Sequence, residues 1–270
     1  MSATPAPLLA AGDPPAVEFH HQGGRAPALL TCDHASNAVP RSLASLGLTD
    51  AELGRHIGWD IGAAAVTRRL APLLDTPALL LGFSRLVIDC NRDPGDATSI
   101  PETADGVDIP GNRGVSSAAR AARKRDIFDP YHAAIAAWLE ARLAAGALPA
   151  LVSIHSFTPE LRGVARPWHV GVLWDADPRI PVPLLAALRA DPALVVGDNE
   201  PYSAREPAGY TVRHHAVSRF LPHVAIELRQ DLIEEQDGAE RWARLLARAF
   251  QPILAEACRP SGNPPDSTPQ

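Results

Sequence analysis

The chain has 270 residues, of which 46% are hydrophobic and 21% are charged, and its formal net charge is −6. A chain of this size and composition can bury a sizeable core, so disorder is excluded for most of its length. No stretch approaches the roughly 20 apolar residues of a membrane-spanning helix, and no basic stripe favours a nucleic-acid partner, so we expect neither a membrane nor a nucleic acid as partner.

The two ends of the chain differ in composition from the rest. Residues 1–15 are rich in proline and alanine and lack the basic segment that begins a signal peptide. We expect residues 1–15 and 259–270 to be flexible tails and residues 16–258 to form a single domain, since no polar linker divides them. The three cysteines form no CxxC pair, which favours a reducing, cytoplasmic location.

Between the tails, short apolar segments alternate with longer amphipathic ones. The apolar segments predict strands at 27–34, 77–83, 85–91, 150–157, 169–175 and 223–230. The longer segments predict helices at 54–74, at 116–146 with a break near Pro130, near 181–190, and at 238–257. Because nearly continuous apolar strands must be covered on both faces, this alternation predicts an α/β fold with a mixed, mostly parallel sheet and helices on both faces.

Four of the predicted strands carry polar clusters at or near their ends. One such cluster is readily explained as a satisfied polar group at the edge of the core. If the strands are neighbours, four clusters converge on one rim, where the ligand sites of open α/β sheets lie. The clusters are Asp33-His34, Asp89-Cys90-Asn91-Arg92, His155-Ser156 and Glu227-Leu228-Arg229.

Two histidines among these clusters are candidates for a metal site. Neutral imidazole is a good zinc ligand, and a catalytic zinc usually has three protein ligands and a water. His34 and His155 are the candidate ligands, and each is alternatively a structural histidine. For the third ligand Asp60, in the sequence GWDIG, competes with Asp33 and His56.

Glu227 lies inside the apolar segment AIELRQ. A buried carboxylate is costly unless it is paired or chemically active. Glu227 is therefore a candidate general base that takes a proton from an attacking water. The alternative is a salt bridge to Arg229 or another arginine.

Arg85, Asn91 and Arg92 lie close together along the chain. The planar guanidinium group binds a carboxylate through two N–H donors, so these residues predict a clamp for a carboxylate substrate. Ordinary pairing with Asp89 or Asp93 is the alternative.

Seven segments in a fixed order resemble one known family. They are TCDHASNAVP, HIGWDIGAAA, SRLVIDCNR, PYHAAI, SIHSFTP, GDNEPYS and IELRQDLI. Together they look like the N-formylglutamate amidohydrolase family, over about residues 27–250. That family is similar in fold to the zinc carboxypeptidases and aspartoacylases.

The resemblance implies a zinc site with His34 and His155 as ligands. It also implies that Glu227 is the catalytic base, that Arg85 polarises the substrate carbonyl, and that Asn91-Arg92 binds a carboxylate. The related enzymes carry a glutamate three residues after the first histidine, where this chain has Asn37. We favour Asp60 as the replacement ligand; a weaker Asn37 ligand or a reduced metal affinity are the alternatives.

The implied function is zinc-dependent hydrolysis of the formamide bond of N-formyl-L-glutamate to formate and glutamate, as in histidine degradation. The substrate is then a small-molecule carboxylate, and Ser156, His132 and His215 are expected to contribute to its pocket. Two alternatives stay open: hydrolysis of another N-acyl amino acid or small peptide, and a non-catalytic binding protein with the same pocket.

Overall fold

A seven-stranded sheet forms the centre of the computed structural model, which describes residues 7–205 and 209–259. The strands are β1 (Val17–His20), β2 (Ala28–Cys32), β3 (Ala78–Leu81), β4 (Ala150–Phe157), β5 (Val170–Leu173), β6 (Val196–Asp198) and β7 (His223–Arg229). They lie side by side in the order β1-β3-β2-β4-β7-β5-β6. Only the pairs β1/β3 and β7/β5 are antiparallel, so the predicted mixed, mostly parallel sheet is confirmed.

Helices cover both faces of this sheet, as predicted. Alternate residues of β2 point to opposite faces, so Leu30 joins a core with α2, α5 and α7, whereas Leu29 joins a second core with α4. The helices are α1 (Asp50–Leu53), α2 (Ala63–Leu74), α3 (Ser117–Arg123), α4 (Asp129–Ala144), α5 (Pro181–Arg189), α6 (Tyr210–His215) and α7 (Gln236–Ala257). Shorter 3₁₀ segments are Arg41–Gly47, Ala97–Ser99, Pro110–Asn112, Val217–Arg219 and Gln230–Leu232. Two small hairpins pair Thr103–Ala104 with Val107–Asp108 and Glu160–Leu161 with Val164–Ala165.

The strand predicted at 85–91 is wrong, because this segment is an irregular loop. Its apolar side chains are buried as expected, including Val87 and Cys90. Side chains take the place of a neighbouring strand: Asn112 Nδ2 donates to the carbonyl of Leu86 at 2.8 Å, and an Arg123 N–H donates to that of Val87 at 2.9 Å. Apolar periodicity therefore predicted the burial of this segment correctly, but it did not predict which groups hydrogen-bond to its backbone.

The helix predicted at 54–74 begins only at Ala63. Gly62 precedes it with φ +81°, and a Cβ at that position would lie 2.4 Å from the carbonyl oxygen of Ile233. Only glycine fits this conformation and this close approach. The segment 54–62 is consequently mostly turns, and Asp60 lies in them rather than at a helix start.

The helical segment predicted at 116–146 does not break at Pro130. A π-helical turn, Lys124–Phe128, joins α3 to α4, and Pro130 lies in the first turn of α4, where a missing N–H is tolerated. Strands β1 and β6 and helix α6 had no counterpart in the predicted elements.

The described part of the expected N-terminal tail, residues 7–15, contacts the domain. The backbone N–H of Leu8 donates to Asp126 at 2.6 Å, and Asp13 accepts from the backbone N–H of Arg41 at 3.1 Å. Residues 1–6 and 260–270, which the predicted tails include, lie outside the described residues. Across the described ranges, no helix is long and apolar enough to cross a membrane.

Candidate active site

The strand register brings polar side chains together on one face of the sheet. Ser153 of β4 pairs with Thr31 of β2, and His155 of β4 pairs with Glu227 of β7. Asp33 follows Thr31 by two residues and therefore projects to the same face, beside His155. The predicted convergence of the polar clusters is thus built by three adjacent parallel strands.

The structure brings His34, Asp60 and His155 together in one buried group. The backbone N–H of Asp60 donates to the carbonyl of His34 at 2.9 Å, which holds the turn at 60 against the end of β2. Asp60 Oδ2 lies 2.9 Å from His155 Nδ1 and 3.3 Å from His34 Nδ1. One potential ligand atom from each residue lies within 4.8 Å of the others.

Each histidine of this group is held by a second aspartate. His34 Nε2 lies 2.8 Å from Asp89 Oδ1, and His155 Nε2 lies 3.3 Å from Asp33 Oδ2. Asp33 is fully buried, and its other oxygen accepts from the hydroxyl groups of Tyr131 and Thr211 at 2.7 and 2.9 Å. In both rings the Nδ1 atom points at Asp60. At His34 the contact from Nε2 to Asp89 is the shorter one, and a carboxylate only accepts hydrogen bonds, so the proton of the neutral ring lies on Nε2.

The electrostatics of the group favour a cation. Burial and the nearby Arg85 lower the pKa of His34, so this ring is neutral and its Nδ1 is a lone pair. Despite burial, the neighbouring His34 and Arg85 lower the pKa of Asp89 to about 2. Burial lowers the pKa of His155, but the paired Asp33 outweighs this effect and raises it. A lone pair on His34 thus faces the Asp60 carboxylate at 3.3 Å, an arrangement that a metal ion between them stabilises.

Two imidazole nitrogens and a carboxylate are a donor set that suits a catalytic zinc or a similar divalent metal. The residues present therefore fit a metal. The three rivals for the third position lie elsewhere. Asp33 contacts His155 at Nε2, on the side of the ring away from Asp60. His56 Nε2 is 3.8 Å from the other oxygen of Asp60, Oδ1. Asn37 is not among the described residues that line the cavity.

Arg85 forms an ion pair with Asp60 rather than with Asp89 or Asp93. The pair uses the Asp60 oxygen that does not face the histidines, so the guanidinium group fixes the orientation of this carboxylate. Arg85 also lines the cavity described below, where it can reach a ligand.

Glu227 is buried on the same face, one strand away from His155. Burial raises the pKa of its carboxyl group, an effect that His155 and Arg85 reduce. Its Oε2 atom has no hydrogen-bond partner among the described residues. Arg229, considered above as its salt-bridge partner, instead binds Asp231 at 2.8 Å. The arrangement leaves Glu227 free to accept a proton.

Asn91 and Arg92 lie at the rim of the cavity, with half of the Arg92 side chain exposed. The side-chain oxygen of Asn91 accepts a hydrogen bond from the backbone N–H of Thr211 at 3.1 Å. The backbone carbonyl of Asn91 accepts another from the backbone N–H of Tyr210 at 2.9 Å. With its oxygen engaged, the Asn91 amide presents N–H donors to the cavity, as carboxylate binding requires. Arg92 Nε is 3.9 Å from Asp89, beyond hydrogen-bond distance.

The other three predicted pocket residues have structural partners. Ser156 lines the cavity, and its hydroxyl group donates to the carbonyl of Ile61 at 2.8 Å. His132 lies outside the lining, where its Nε2 bonds the carbonyl of Cys90 and its Nδ1 bonds His215, each at 2.9 Å. The His132 and His215 rings therefore support the 89–92 loop on the side away from the cavity. That they contact the substrate stays a prediction.

The metal group, Arg85, Glu227, Asn91 and Arg92 line a cavity of about 880 Å³. Arg213 and Trp174 line it as well, and the sequence did not identify Arg213 because it lies in no polar cluster at the end of a predicted strand. From the sequence, Asp33 was considered as a rival metal ligand and Asp89 as a partner of the arginines, but neither was predicted to orient a histidine. Their pairing with the histidines depends on strand register, which sequence alone does not reveal.

Comparisons with known proteins found a matching family model and similar solved structures. The family model described as N-formylglutamate amidohydrolase matches residues 26–234. The gene product Atu2144 from Agrobacterium tumefaciens has 34% identity and a TM-score of 0.88, over 92% of this chain and 98% of that one. The N-formylglutamate amidohydrolase from Ralstonia eutropha JMP134 has 19% identity and a TM-score of 0.71, over 90% and 98% of the two chains. No curated protein matched the sequence.

The chain has a mixed α/β fold, and its buried His-Asp-His group can hold a metal. The family match covers most of the chain, and the chain belongs to the N-formylglutamate amidohydrolase family. The resemblance identified from the sequence motifs is thereby confirmed.

Proposed function

We propose that this protein is a zinc-dependent amidohydrolase that cleaves the formamide bond of N-formyl-L-glutamate to formate and glutamate. The observation that carries the proposal is the group of His34, Asp60 and His155 beside the unpartnered carboxylate of Glu227, at one end of a cavity whose rim carries Asn91 and Arg92. The family match and the name of the Ralstonia eutropha relative support the choice of substrate.

The metal would be held by His34 Nδ1, His155 Nδ1 and an Asp60 oxygen, while Asp89, Asp33 and Arg85 keep these ligands in orientation. A divalent metal there would supply a Lewis acid that lowers the pKa of a water molecule and polarises a carbonyl group. Residues that hold the ligands in this way contribute to metal affinity, because they fix the orientation and the tautomer of the ligand rings.

Glu227 is the residue that handles the proton. Its carboxylate lies beside the metal group and takes a proton from the water that attacks the formyl carbon. The same carboxyl group then delivers this proton to the nitrogen of the leaving glutamate, since the C–N bond breaks only when the amine is protonated. Its raised pKa suits both halves of this transfer.

The clamp places the substrate. The N–H groups of Asn91 and the guanidinium group of Arg92 bind a carboxylate of the substrate, with Arg213 on the same side of the cavity. Arg85, held by Asp60, is positioned to stabilise the negative charge that develops on the carbonyl oxygen. We place this reaction in the cytoplasm and in histidine degradation, with a small-molecule carboxylate as the substrate.

The test is an assay of formate release from N-formyl-L-glutamate with the purified, zinc-loaded protein. The matched control is Glu227→Gln, which keeps the size of the side chain and removes the base. Release of formate by the parent protein, and about 10²–10⁴-fold less by the variant, supports the proposal. Stoichiometric zinc without turnover of N-formylglutamate or any other N-acyl amino acid favours the non-catalytic binding protein.

A further inference from the structure

Arg213 is a cation of the cavity to which the proposed mechanism assigns no separate role. Among the described residues, four arginines line the cavity: Arg85, Arg92, Arg205 and Arg213. Arg85 is paired with Asp60, whereas the guanidinium group of Arg213 has neither an ion pair nor a hydrogen bond within the described ranges. A guanidinium group that lines a cavity without a partner is available to an anionic ligand.

Helix α6 holds Arg213 beside the carboxylate clamp. Thr211, two residues earlier in this helix, donates its backbone N–H to the side-chain oxygen of Asn91 at 3.1 Å. Two residues correspond to about 3 Å along the axis of a helix, so the backbone of Arg213 lies close to Asn91. Arg213 and the clamp residue Arg92 can therefore bind two groups of the same small substrate.

The backbone of α6 is fixed on both sides of Arg213. Before it, the hydroxyl group of Thr211 donates to the buried Asp33 at 2.9 Å. After it, His215 Nε2 lies 2.9 Å from His132 Nδ1, and the two rings are stacked with their centroids 5.1 Å apart. A binding residue on an element held in this way keeps its place in the free protein, which suits Arg213 to a role in specificity.

The substrate of the proposed reaction carries two carboxylates, and the clamp accounts for one of them. The clamp adjoins the metal group, because the backbone N–H of Asn91 donates at 2.8 Å to the same Asp89 oxygen that lies 2.8 Å from His34 Nε2. The α-carboxylate is the one nearer to the scissile amide, so it matches the clamp. The side-chain carboxylate is separated from it by three carbon atoms and extends towards the exposed Arg213.

Arg205 is the rival for the side-chain carboxylate. Its guanidinium group lies over the Trp174 ring, 5.8 Å from the ring centroid. Trp174 directly follows β5, and β5 is three strands away from β2, which leads to His34. Three strand spacings amount to about 14 Å at ~4.8 Å each. The two carboxylates of one glutamate are too close together to span this distance, which favours Arg213.

We propose that Arg213 binds the side-chain carboxylate of the substrate and thereby selects N-acyl derivatives of acidic amino acids over those of neutral ones. Asn91 and Arg92 bind the α-carboxylate in the same complex. This inference rests on the proposed function, because the position of the scissile amide decides which carboxylate lies at the clamp.

The test compares N-formyl-L-glutamate with N-formyl-L-glutamine, in which an uncharged amide of nearly the same size replaces the side-chain carboxylate. Arg213→Met removes the charge and keeps an unbranched side chain. The matched control is Arg205→Met, which removes another exposed arginine of the same cavity. The zinc-loaded parent and Arg205→Met should prefer the glutamate compound in kcat/KM by about 10- to 100-fold, the contribution of a charged hydrogen bond. Arg213→Met should lose most of this preference.

The α-amide, N-formyl-L-isoglutamine, tests whether the effect is confined to the side-chain carboxylate. It should slow the parent and Arg213→Met by the same factor, since Arg213 does not bind the α-carboxylate. An unchanged glutamate preference in Arg213→Met, an equal loss in both variants, or no preference in the parent overturns the inference and leaves the proposed function standing.

A binding measurement separates the two failures. If no compound is hydrolysed, the proposed function fails, and calorimetry with the same compounds decides the role of Arg213. Tighter binding of the glutamate than of the glutamine compound, lost in Arg213→Met and kept in Arg205→Met, supports the inference. Equal affinities in the parent, or a preference that Arg213→Met retains, overturn it.

Discussion

Asp33 Oδ2 lies 3.3 Å from His155 Nε2, although Asp33 is the chain neighbour of the other histidine of the buried group, His34. The parallel register of β2 and β4 makes this pairing, because Asp33 and His155 project from adjacent strands to the same face. His34 has its own partner, Asp89, at 2.8 Å. The two histidines are therefore oriented independently, each by an aspartate from another part of the chain.

We expect Asp33→Asn to weaken zinc binding by about 10–100-fold, because the asparagine does not fix the His155 ring and its proton as the carboxylate does. Titration of the metal-free protein with zinc, in competition with a chromophoric chelator, measures this affinity. Thr211→Val is the matched control, since it removes one hydrogen bond to Asp33 and keeps the carboxylate. An unchanged zinc affinity in Asp33→Asn would show that the aspartate only supports packing.

Removal of the metal should abolish activity, and zinc should restore it. Substitution of either histidine, His34→Ala or His155→Ala, should lower the zinc content of the purified protein, because only two of the three ligands remain. Elemental analysis of both variants checks the assignment. Stoichiometric zinc in both of them would show that the metal lies elsewhere.

Glu227→Gln should keep the zinc content and the unfolding temperature while the rate falls by about 10²–10⁴-fold, because the amide cannot take a proton. In the parent, kcat/KM should fall as the pH drops through the raised pKa of the carboxyl group, since protonation removes the base. A pH series from acid to neutral measures this decline. Activity near that of the parent in Glu227→Gln would make the residue structural.

Arg92→Ala should reduce kcat/KM by about 30-fold or more, since losing one partner of a charged hydrogen bond costs about 2 kcal/mol or more. We expect a value near this lower bound, because the side chain is half exposed. Arg92→Lys should recover only part, since a point charge does not reproduce the planar fork.

A substrate with one carboxylate replaced by an amide distinguishes binding from loop support. If Arg92 grips that carboxylate, the amide slows the parent strongly and Arg92→Ala little more. If the losses in kcat/KM from the amide substrate and from Arg92→Ala simply add, Arg92 does not bind that carboxylate and instead holds the 89–92 loop in place.

The metal-free protein should lose stability in acid. The pKa of Asp89, about 2 in the folded chain, lies below its ordinary value near 4. The carboxylate therefore stabilises the fold above about pH 4, and this contribution, roughly 2 kcal/mol, is lost as the pH falls from about 4 to 2. Denaturant unfolding between about pH 4 and 2 measures this loss in the free energy of unfolding. In Asp89→Asn the free energy of unfolding should depend less on pH over the same range. An equally steep decline in the variant would assign the effect to other carboxylates.

Apolar periodicity predicted the fold class and five of the seven strands of the central sheet, and the polar residues at strand ends identified His34, His155 and Glu227 as candidates. Strands β2, β4 and β7 were predicted correctly because their apolar runs are buried on both faces, and the polar residues at their ends meet as the parallel arrangement requires. His34 and His155 were found because imidazoles at strand ends are unusual.

The residue that joins them, Asp60, was favoured from the sequence, and the folded chain shows why Asp33 does not take its place. Asp33 is closer to His34 in the chain, but Gly62 and the turn before α2 bring Asp60 to the histidines, while strand register directs Asp33 behind His155. Likewise, the buried 85–91 segment is a loop because Asn112 and Arg123 side chains satisfy its carbonyls. Apolar periodicity predicts which residues are buried. It does not predict which distant group completes their hydrogen bonds, because those partners come together only in the folded chain.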